Sequence, residues 1–292
     1  MDGLKHFAVA VFLLSLMGAA TRSYAASDTF IDFDAGIGLD DNVTRAALDV
    51  DIEHDTFVSL GASLGQVFFH GESGQVTGSF DLAANRFNYF DGLNNYTAGG
   101  SVKYVFGFSR EFGSPWFGLG LKYFVSEFDS FLRDSNNFIG TFTVGKRIDD
   151  LTNLRSALAY KSRDSDGVAF DTEDVSFFIN IDWTLNDKTT VYTTYKIQQG
   201  DVVSTAASSS VSLYTINAAS GHIESDDVFI GKLNYRLDST TQLFTIGLNL
   251  AMDLESAYDF SARFLTTDAD GGVEYKDLTV RISYFHRLGL EF

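Results

Sequence analysis

The feature that most limits the possible folds of this chain is an alternation of apolar and polar residues after about residue 25. In one such segment Val175, Phe177 and Ile179 alternate with Ser176 and Asn180. Successive side chains of a β-strand point to opposite faces of a sheet, so this period of two predicts strands with one apolar face. The same part of the chain contains no persuasive amphipathic helix, and we therefore predict an all-β fold.

Turn sequences divide the chain into about twelve strands. Three segments (RIDDLTNLRSALAY, TLNDKTTVYTTYK and RLDSTTQLFTIGL) each have an aspartate, then a threonine, then a strand, which is typical of tight reversals. Longer acidic segments separate the other strands. The predicted strands are 29–39, 56–69, 75–90, 95–109, 116–128, 137–148, 153–163, 173–186, 189–200, 226–237, 241–254 and 276–292.

The stretch 255–275 leaves the strand count open. Apolar residues continue at even-numbered positions from Phe244 to Phe264, so the eleventh strand could project beyond the barrel. Alternatively, 256–267 and part of 205–218 are further strands, which would make fourteen.

The first 25 residues have the features of a secretory signal peptide. Lys5 precedes an apolar run from Phe7 to Ala20, and the small residues Ser23 and Ala25 follow two apart. The run is shorter than the roughly 20 residues that a membrane-spanning helix needs, so cleavage is expected rather than anchoring. We therefore predict a signal peptide at 1–25 and a single domain at 26–292.

An exported all-β chain of this kind is expected to be a barrel in the bacterial outer membrane. Segments of about ten alternating residues, joined by short turns on one side and long loops on the other, are typical of such barrels. A spanning sheet must close on itself because the bilayer offers no water to unpaired backbone groups. The alternative is a soluble β-sandwich with its apolar face inward. Aromatic clusters near strand ends, as in residues 87–90 and 106–108, favour the membrane barrel.

The last residues, RISYFHRLGLEF, carry a family resemblance. They resemble the C-terminal targeting signal of outer-membrane proteins of diderm bacteria, in which a final alternating strand ends in phenylalanine. Tyr284, Leu288, Leu290 and Phe292 occupy the apolar or aromatic positions of that signal, and His286 departs from it. The resemblance implies that the barrel-assembly machinery recognises this strand.

If the bulky residues face lipid, the alternate residues face the lumen. Asp32, Asp34 and Asp81 are acidic residues of that set. The residues that we predict to line the bore and meet the solute are Lys103, Lys122, Arg155, Lys161, Asp182, Lys232, Arg236, Arg281 and Arg287. Most of these residues are basic, although the chain as a whole has a net charge of −18. Such a lumen would favour anions, unless the charges pair across strands and only hydrate a filled barrel.

Two loop features bear on the bore and on ligands. The small, polar stretch 201–225 either folds into the lumen or forms a disordered surface loop. Acidic loops such as Asp40–Asp41 could bind divalent cations or bridge them to lipopolysaccharide, but no segment fits a twelve-residue calcium loop. The chain has no cysteine, and we predict no cofactor and no metal centre.

Some twelve-stranded outer-membrane barrels are phospholipases or lipid A deacylases, so a lipid hydrolase is a further alternative. Serine hydrolases of that kind carry a motif that resembles His-x-Ser on one strand. This sequence contains no His-x-Ser. His54 and His222 lie in loops with no nucleophile placed beside them. We therefore predict that the protein is not an enzyme.

The sequence favours a porin-like channel for passive diffusion of small hydrophilic, preferentially anionic solutes. The alternative is a non-conducting scaffold or a subunit of an export or adhesion system. The start DFDAGIGLDDNVTR faintly resembles barrels encoded near polysaccharide-export genes. The expected partners are outer-membrane lipid, lipopolysaccharide, the assembly machinery and small solutes. A homo-oligomer is left open, and the acidic charge argues against nucleic acid.

Overall fold

A computed structural model of the chain describes residues 29–71, 74–109 and 111–290, without the side chain of residue 290. The predicted signal peptide and Phe292 lie outside these residues. The strands are β1 (Thr29–Asp40), β2 (Asp55–His70), β3 (Gly74–Phe87), β4 (Asn95–Gly107), β5 (Trp116–Phe128), β6 (Ser135–Arg147), β7 (Thr152–Ser165), β8 (Thr172–Asn186), β9 (Thr189–Ala207), β10 (Ile223–Ser225), β11 (Lys232–Ala251), β12 (Ser256–Ala269) and β13 (Val273–Leu290).

Twelve of these strands form a closed antiparallel barrel. Each strand pairs with its neighbours in chain order, β9 pairs with β11, and β13 pairs with β1 from Thr29 opposite Leu290 to Asp40 opposite Thr279. The three-residue β10 adds only to the edge of β11. The predicted up-and-down barrel of about twelve strands is confirmed, and the alternative of fourteen strands is wrong.

The two ends of the barrel have different connections. One end of the barrel also holds residues 29 and 290, and we call it the turn end. Its connections are T1 between β2 and β3, T2 between β4 and β5, T3 (148–151), T4 (187–188) and T5 (252–255). The other end, the loop end, carries L1 (41–54), L2 (88–94), L3 (129–134), L4 (166–171), L5 (208–231) and L6 (270–272).

One predicted turn is wrong. The segment RLDSTTQLF does not reverse, because Asp238, Ser239 and Thr240 continue β11 and pair with residues 199–201 of β9. Pairing with a long neighbouring strand supplies the backbone hydrogen bonds that a turn would otherwise provide locally. The predicted strands 226–237 and 241–254 therefore correspond largely to one strand. The stretch 255–275, left outside the main assignment, contains β12.

The large apolar side chains cover the outside of the barrel. Ile37 is 58% exposed, Leu60 57% and Leu121 58%, although each lies in a paired strand. Residues on the opposite face of the same strands, such as Ser59 of β2 and Ser126 of β5, are buried. The barrel therefore presents its apolar face outward and its polar face inward, as the sequence predicts for a membrane barrel.

Strands β9 and β11 extend past the rest of the wall at the loop end. Gly200 lies where β9 leaves β8, and its φ of 133° is one that side chains rarely allow. Beyond it, the backbone nitrogen of Thr205 donates to Thr44 of L1 at 2.9 Å. Because β11, β12 and β13 separate β9 from β1 on the ring, this contact brings the extension and L1 together over the mouth.

The buried apolar cluster of the molecule lies at this mouth. Its members come from β9, β11, β12, β13 and L5, and they include Leu237, Tyr235 and Tyr275. In L5 a short helix α1 (Leu213–Ala218) begins at Ser212, whose hydroxyl accepts a hydrogen bond from the backbone nitrogen of Thr215. Across the described part of the chain, no helix has the length and apolar character to cross a bilayer.

Truncation of Leu237 tests the importance of this cluster. Leu237 is 1% exposed, so Leu237→Ala should lower the free energy of unfolding by about 2–5 kcal/mol, measured by urea titration of the barrel in lipid vesicles. Leu254 in T5 is fully exposed, and Leu254→Ala should change stability by less than about 0.5 kcal/mol. Equal losses for the two variants would contradict the assignment of the core to the mouth.

Candidate functional site: the lumen and its cap

The inward face of the barrel is mostly polar, but its charges are unevenly neutralised. On β13 the guanidinium of Arg287 donates two 2.7 Å hydrogen bonds to the carboxylate of Asp32 on β1. Arg281 lies 3.4 Å from Asp34, and its guanidinium also donates to Ser59 at 2.8 Å. This wall therefore carries cations that are matched by carboxylates on the next strand.

The same pairing continues across β3 to β5. The ammonium group of Lys122 lies 3.1 Å from Asp81, whose other oxygen accepts a hydrogen bond from Ser63 at 2.6 Å. Of the predicted lumen cations, Lys122, Arg281 and Arg287 thus lie inward and are paired. Their carboxylate partners are the inward acidic residues identified in the sequence.

The wall formed by β7, β8 and β9 carries cations without such partners. Among the described residues, no carboxylate oxygen lies within 4.0 Å of the charged groups of Arg155, Lys161 or Lys196. Arg155 contacts Asn180 at 3.5 Å, and Lys196 donates to Gln198 at 2.8 Å. We call Arg155, Lys161 and Lys196 the unpaired cations.

The neighbourhood of the unpaired cations is not free of negative charge. Asp174 lies directly opposite Lys161 in the β7–β8 ladder, and Asp182 is inward on the same strand, opposite Asn153 and Tyr192. Two inward carboxylates of these strands face three cations, and Arg163 adds a fourth inward cation with Asp171 of L4 near it. The inward residues of the wall are therefore net positive. The predicted Lys103 is also inward, with its ammonium group 5.7 Å from the Trp116 ring.

Side-chain size sets where the lumen has room. Side chains lie over several inward glycines: an added Cβ would be 2.4 Å from Phe57 at Gly38 and 2.2 Å from Tyr192 at Gly247. At Gly120 of β5 the nearest atom would be 3.8 Å away, in Thr141. A small side chain is therefore accommodated at Gly120 without a clash, two strands from the β7 wall that carries Arg155 and Lys161.

Lys232 and Arg236 lie in the cap rather than along the wall of the barrel. Both belong to the extension of β11 beyond β12. The ammonium group of Lys232 lies 2.8 Å from Glu53 and 2.8 Å from the Asp51 carbonyl oxygen, both in L1. The guanidinium of Arg236 donates to the backbone carbonyl of Asp171 in L4. The prediction that these two residues face the lumen assumes a strand over 226–237. In the structure β11 begins only at Lys232.

Loop L5 covers the mouth of the barrel. Its contacts reach every other loop: Phe229 packs on Phe90 of L2, Asp226 and Asp227 bind L3, Glu224 binds L4, and Thr215 binds L6. Ala47 of L1 packs on the cluster that contains Ala219. A segment that touches loops all around a ring must cross its opening, so L5 is an ordered cap.

Arg133 of L3 is the centre of the cap. Its buried guanidinium lies 2.7 Å from Asp226 and 2.9 Å from Asp227, and it sits 4.5 Å from the centre of the Phe170 ring. Arg163 of β7 donates to the Arg133 carbonyl oxygen at 2.7 Å. L3, L4 and L5 are therefore joined by one guanidinium, and the lumen wall is tied to the same point.

A second cluster joins L1 to the barrel. Arg45 lies 2.9 Å from Asp40 and 2.9 Å from Asp277, and Arg263 lies 3.6 Å from Asp277. Carboxylate oxygens of Asp40, Asp41 and Asp277 come within 4.8 Å of one another. Because the two guanidinium groups already occupy this cluster, it works as an internal ion network that holds L1.

The side chains of the described histidines make few contacts with polar groups. Within the described ranges, none of the side chains of His54, His70, His222 and His286 is hydrogen-bonded to a serine hydroxyl or to a carboxylate. His222 takes part in the cap through its backbone, accepting from the backbone nitrogen of Arg236 at 3.1 Å.

The predicted assembly signal lies on β13. Tyr284 and Leu288 point outward and are 38% and 37% exposed. The backbone of Leu290 pairs with Thr29 and so completes the seam of the barrel. The side chain of Leu290 and the whole of Phe292 lie outside the described residues.

The closed ring and its outward apolar wall define the chain as a transmembrane β-barrel. Among solved structures, an outer-membrane channel from Pseudomonas putida F1 is similar in fold, with 8% identity, 91% of this chain and 97% of that chain covered, and a TM-score of 0.53. A variant of the TodX monoaromatic hydrocarbon channel has 7% identity, coverages of 92% and 91%, and a TM-score of 0.46. The NanC porin has 9% identity, coverages of 88% and 100%, and a TM-score of 0.45.

Comparison by sequence gives no closer relation. No protein-family model matches the chain, and no curated protein is significantly similar to it in sequence. The fold is therefore what the chain has in common with known proteins.

Replacement of Arg133 tests the cap. Arg133→Gln leaves the buried carboxylate of Asp226 without its cation, which typically costs about 3–5 kcal/mol. We expect the backbone amides of L5 to exchange hydrogen at least about tenfold faster, measured by mass spectrometry. Arg147→Gln removes an exposed arginine at the turn end and should leave L5 unchanged. Unaltered exchange in L5 of the Arg133 variant would contradict the role of this residue.

Proposed function

We propose that this protein is an outer-membrane channel that passes small hydrophilic solutes and favours anions. Twelve strands give a bore between that of a filled eight-stranded barrel and that of an open sixteen-stranded porin. The long-loop end would face the cell exterior and the turn end the periplasm, as in bacterial barrels generally. The channel selects solutes by size and charge, and no covalent bond is made or broken.

The observation that carries this proposal is the set of unpaired cations on the inward wall. Arg155, Lys161 and Lys196 face the lumen without a carboxylate within ion-pair distance, whereas Lys122, Arg281 and Arg287 are each paired with a carboxylate. In a confined space with low-dielectric walls, such charges attract anions and repel cations. Gly120, where an added Cβ would meet no atom closer than 3.8 Å, lies on β5 two strands from Arg155 and Lys161, and in this proposal the solute path runs along that part of the wall.

The cap makes transport through this barrel conditional. L5 lies across the mouth, so conduction at rest would be limited by the gaps around the cap. Loosening of the Arg133 cluster should therefore raise conductance without changing ion preference, because the unpaired cations lie deeper in the wall.

The selectivity of the channel is the direct test. In planar bilayers with a salt gradient, the reversal potential should show a preference for chloride over potassium. Lys161→Glu combined with Lys196→Glu should shift the reversal potential toward cation preference, since two inward charges are reversed. Lys188→Glu reverses one charge in the exposed turn T4 and should shift it much less.

An unchanged reversal potential in the Lys161 and Lys196 variant, with conductance retained, would contradict anion selection by this wall. Arg133→Gln serves as the loosened form of the channel. Folded protein that stays silent both with and without this substitution would contradict the channel itself.

The proposed solute path can be tested by adding bulk. Gly120→Phe adds a ring on the inward face of β5, where the path is proposed to run, and single-channel conductance should fall by about half or more. Gly140 lies opposite Leu121 on the outward face, and an added Cβ would have its nearest atom 3.8 Å away, as at Gly120. Gly140→Phe should leave conductance unchanged. If Gly120→Phe and Gly140→Phe have the same single-channel conductance, the solute path lies elsewhere in the barrel.

A second candidate function is favoured by the surface of the cap. Several apolar side chains of the loops point to solvent, among them Val50 at 79% and Tyr214 at 82% exposed. A covered mouth with exposed apolar residues suits a non-conducting scaffold or a subunit of an export or adhesion system. Absence of conductance in planar bilayers, for both the unsubstituted folded protein and Arg133→Gln, would favour this candidate.

Assembly forms part of the proposal. Tyr284 and Leu288, which face outward, together with Leu290 and Phe292, would be recognised by the barrel-assembly machinery before β13 closes on β1. This requires export by the predicted leader at 1–25.

A further inference from the structure

Arg86 has an unusual position on the outside of the barrel. It follows Leu82 and Ala84 on the outward face of β3, one residue before the strand ends. Its side chain is exposed, and no hydrogen-bond acceptor or carboxylate among the described residues binds its guanidinium. A cation on a lipid-facing wall is costly at the centre of a bilayer, by about 2–4 kcal/mol, and nearly free at its edge.

The register of β3 places Arg86 at the edge of the apolar band. The next outward positions toward the loop end are polar, namely Asn88 and, on β2, Thr56. Tyr96, 68% exposed, lies on the neighbouring strand opposite Ala84. Exposed tyrosines are typical of the interface between acyl chains and headgroups. Arg86 is therefore positioned at the level of lipid headgroups.

An apolar groove adjoins Arg86 on the same wall. It has a volume of about 690 Å³ and spans β13, β1, β2 and β3. Its outward apolar side chains are Ile37, Leu39, Val58, Val280 and Ile282, and Arg86, Thr56 and Asn88 lie at its polar edge. The groove is open on its outer side, so an acyl chain would lie along it rather than be enclosed.

The two features call for an amphiphile with an anionic head. The groove matches a hydrocarbon chain, and a free guanidinium at the headgroup level matches a phosphate, which it can bind through two parallel hydrogen bonds. The nearby outward carboxylate of Glu127, opposite Tyr96 on β5, lies on the other side of Arg86 from the groove. The acyl chain and the phosphate would thus approach from the β13–β2 side. On that side the negative phosphate is kept away from the negative carboxylate of Glu127.

We propose that Arg86 and this groove form a binding site for a phosphorylated, acylated lipid of the outer leaflet, with lipid A as its chemical type. The phosphate binds the guanidinium of Arg86, and one acyl chain lies along Val58, Ile37 and Ile282. The site is on the outer wall of the barrel and does not depend on conduction through the lumen.

Native mass spectrometry of the detergent-solubilised barrel tests this site. The protein is titrated with diphosphorylated lipid A and, separately, with lipid A from which both phosphates have been removed. We expect one tightly retained diphosphorylated lipid per barrel and at least about tenfold weaker retention of the dephosphorylated form. Arg86→Gln should weaken retention of the phosphorylated form by about tenfold, and Arg86→Lys by less.

Lys276→Gln is the matched control, because Lys276 is an exposed, outward cation at the loop end of β13 that lies outside the groove. It should retain the lipid as the unsubstituted protein does. The mobility of unheated protein on gels checks that each variant is folded. Equal retention by Arg86→Gln, equal loss with Lys276→Gln, or equal binding of dephosphorylated lipid would each overturn the proposal. Displacement of the lipid by millimolar inorganic phosphate would also overturn it, in favour of a site for the free anion.

Discussion

The pairing of β1 with β13 is the interaction on which the rest of the structure depends. A sheet in hydrocarbon cannot leave a free edge, because each unpaired backbone group costs several kcal/mol. The seam from Thr29–Leu290 to Asp40–Thr279 removes that edge and fixes which side chains point inward on every strand. Where β9 rises beyond β8, its edge is free again, and the backbone of L1 hydrogen-bonds to it. The fold of the mouth thus follows from the same requirement as the closure of the barrel.

Closure also determines how charge is distributed. Strands that are adjacent on the ring bring Arg287 beside Asp32 and Arg281 beside Asp34, so basic residues near the seam are neutralised by β1. On β7 to β9 the strands carry more inward cations than carboxylates, and the excess stays unpaired. A chain with a net charge of −18 can therefore have a positive wall, because most of its acidic residues lie in loops and on strand ends.

Much of the barrel could be predicted from the sequence, and the reason is local. Alternation and turn residues are properties of short segments, which is why most strands from β1 to β9 are found within a few residues of their predicted ends. The turn at 238–240 is wrong because the long partner β9, which is remote in sequence, overrides the local preference of Asp-Ser-Thr. The inward position of Lys161 follows from the alternation of β7 alone, because Lys161 lies at an odd-numbered position, between the apolar residues that face outward. Lys196 was missed because both faces of β9 are rich in threonine, tyrosine and glutamine, so parity gave no clear inward side.

The cap could not be predicted for a different reason. Arg133 is an isolated basic residue in a short loop, and its partners Asp226 and Asp227 are more than ninety positions away. Nothing in their local sequence indicates that three loops meet there. Only the ring of strands, which brings L3, L4 and L5 to the same end, makes the cluster possible.

The length of the β9–β11 pair has a mechanical consequence. The two strands remain in register from Thr189 opposite Leu250 to Ala207 opposite Lys232. The cap is therefore attached to a two-stranded arm that is continuous with the barrel wall. Such an arm resists bending, since flexing it would break ladder hydrogen bonds one after another. Displacement of L5 would therefore pivot where the arm meets the loop, and a strain applied to the buried wall would be transmitted to the mouth as by a lever.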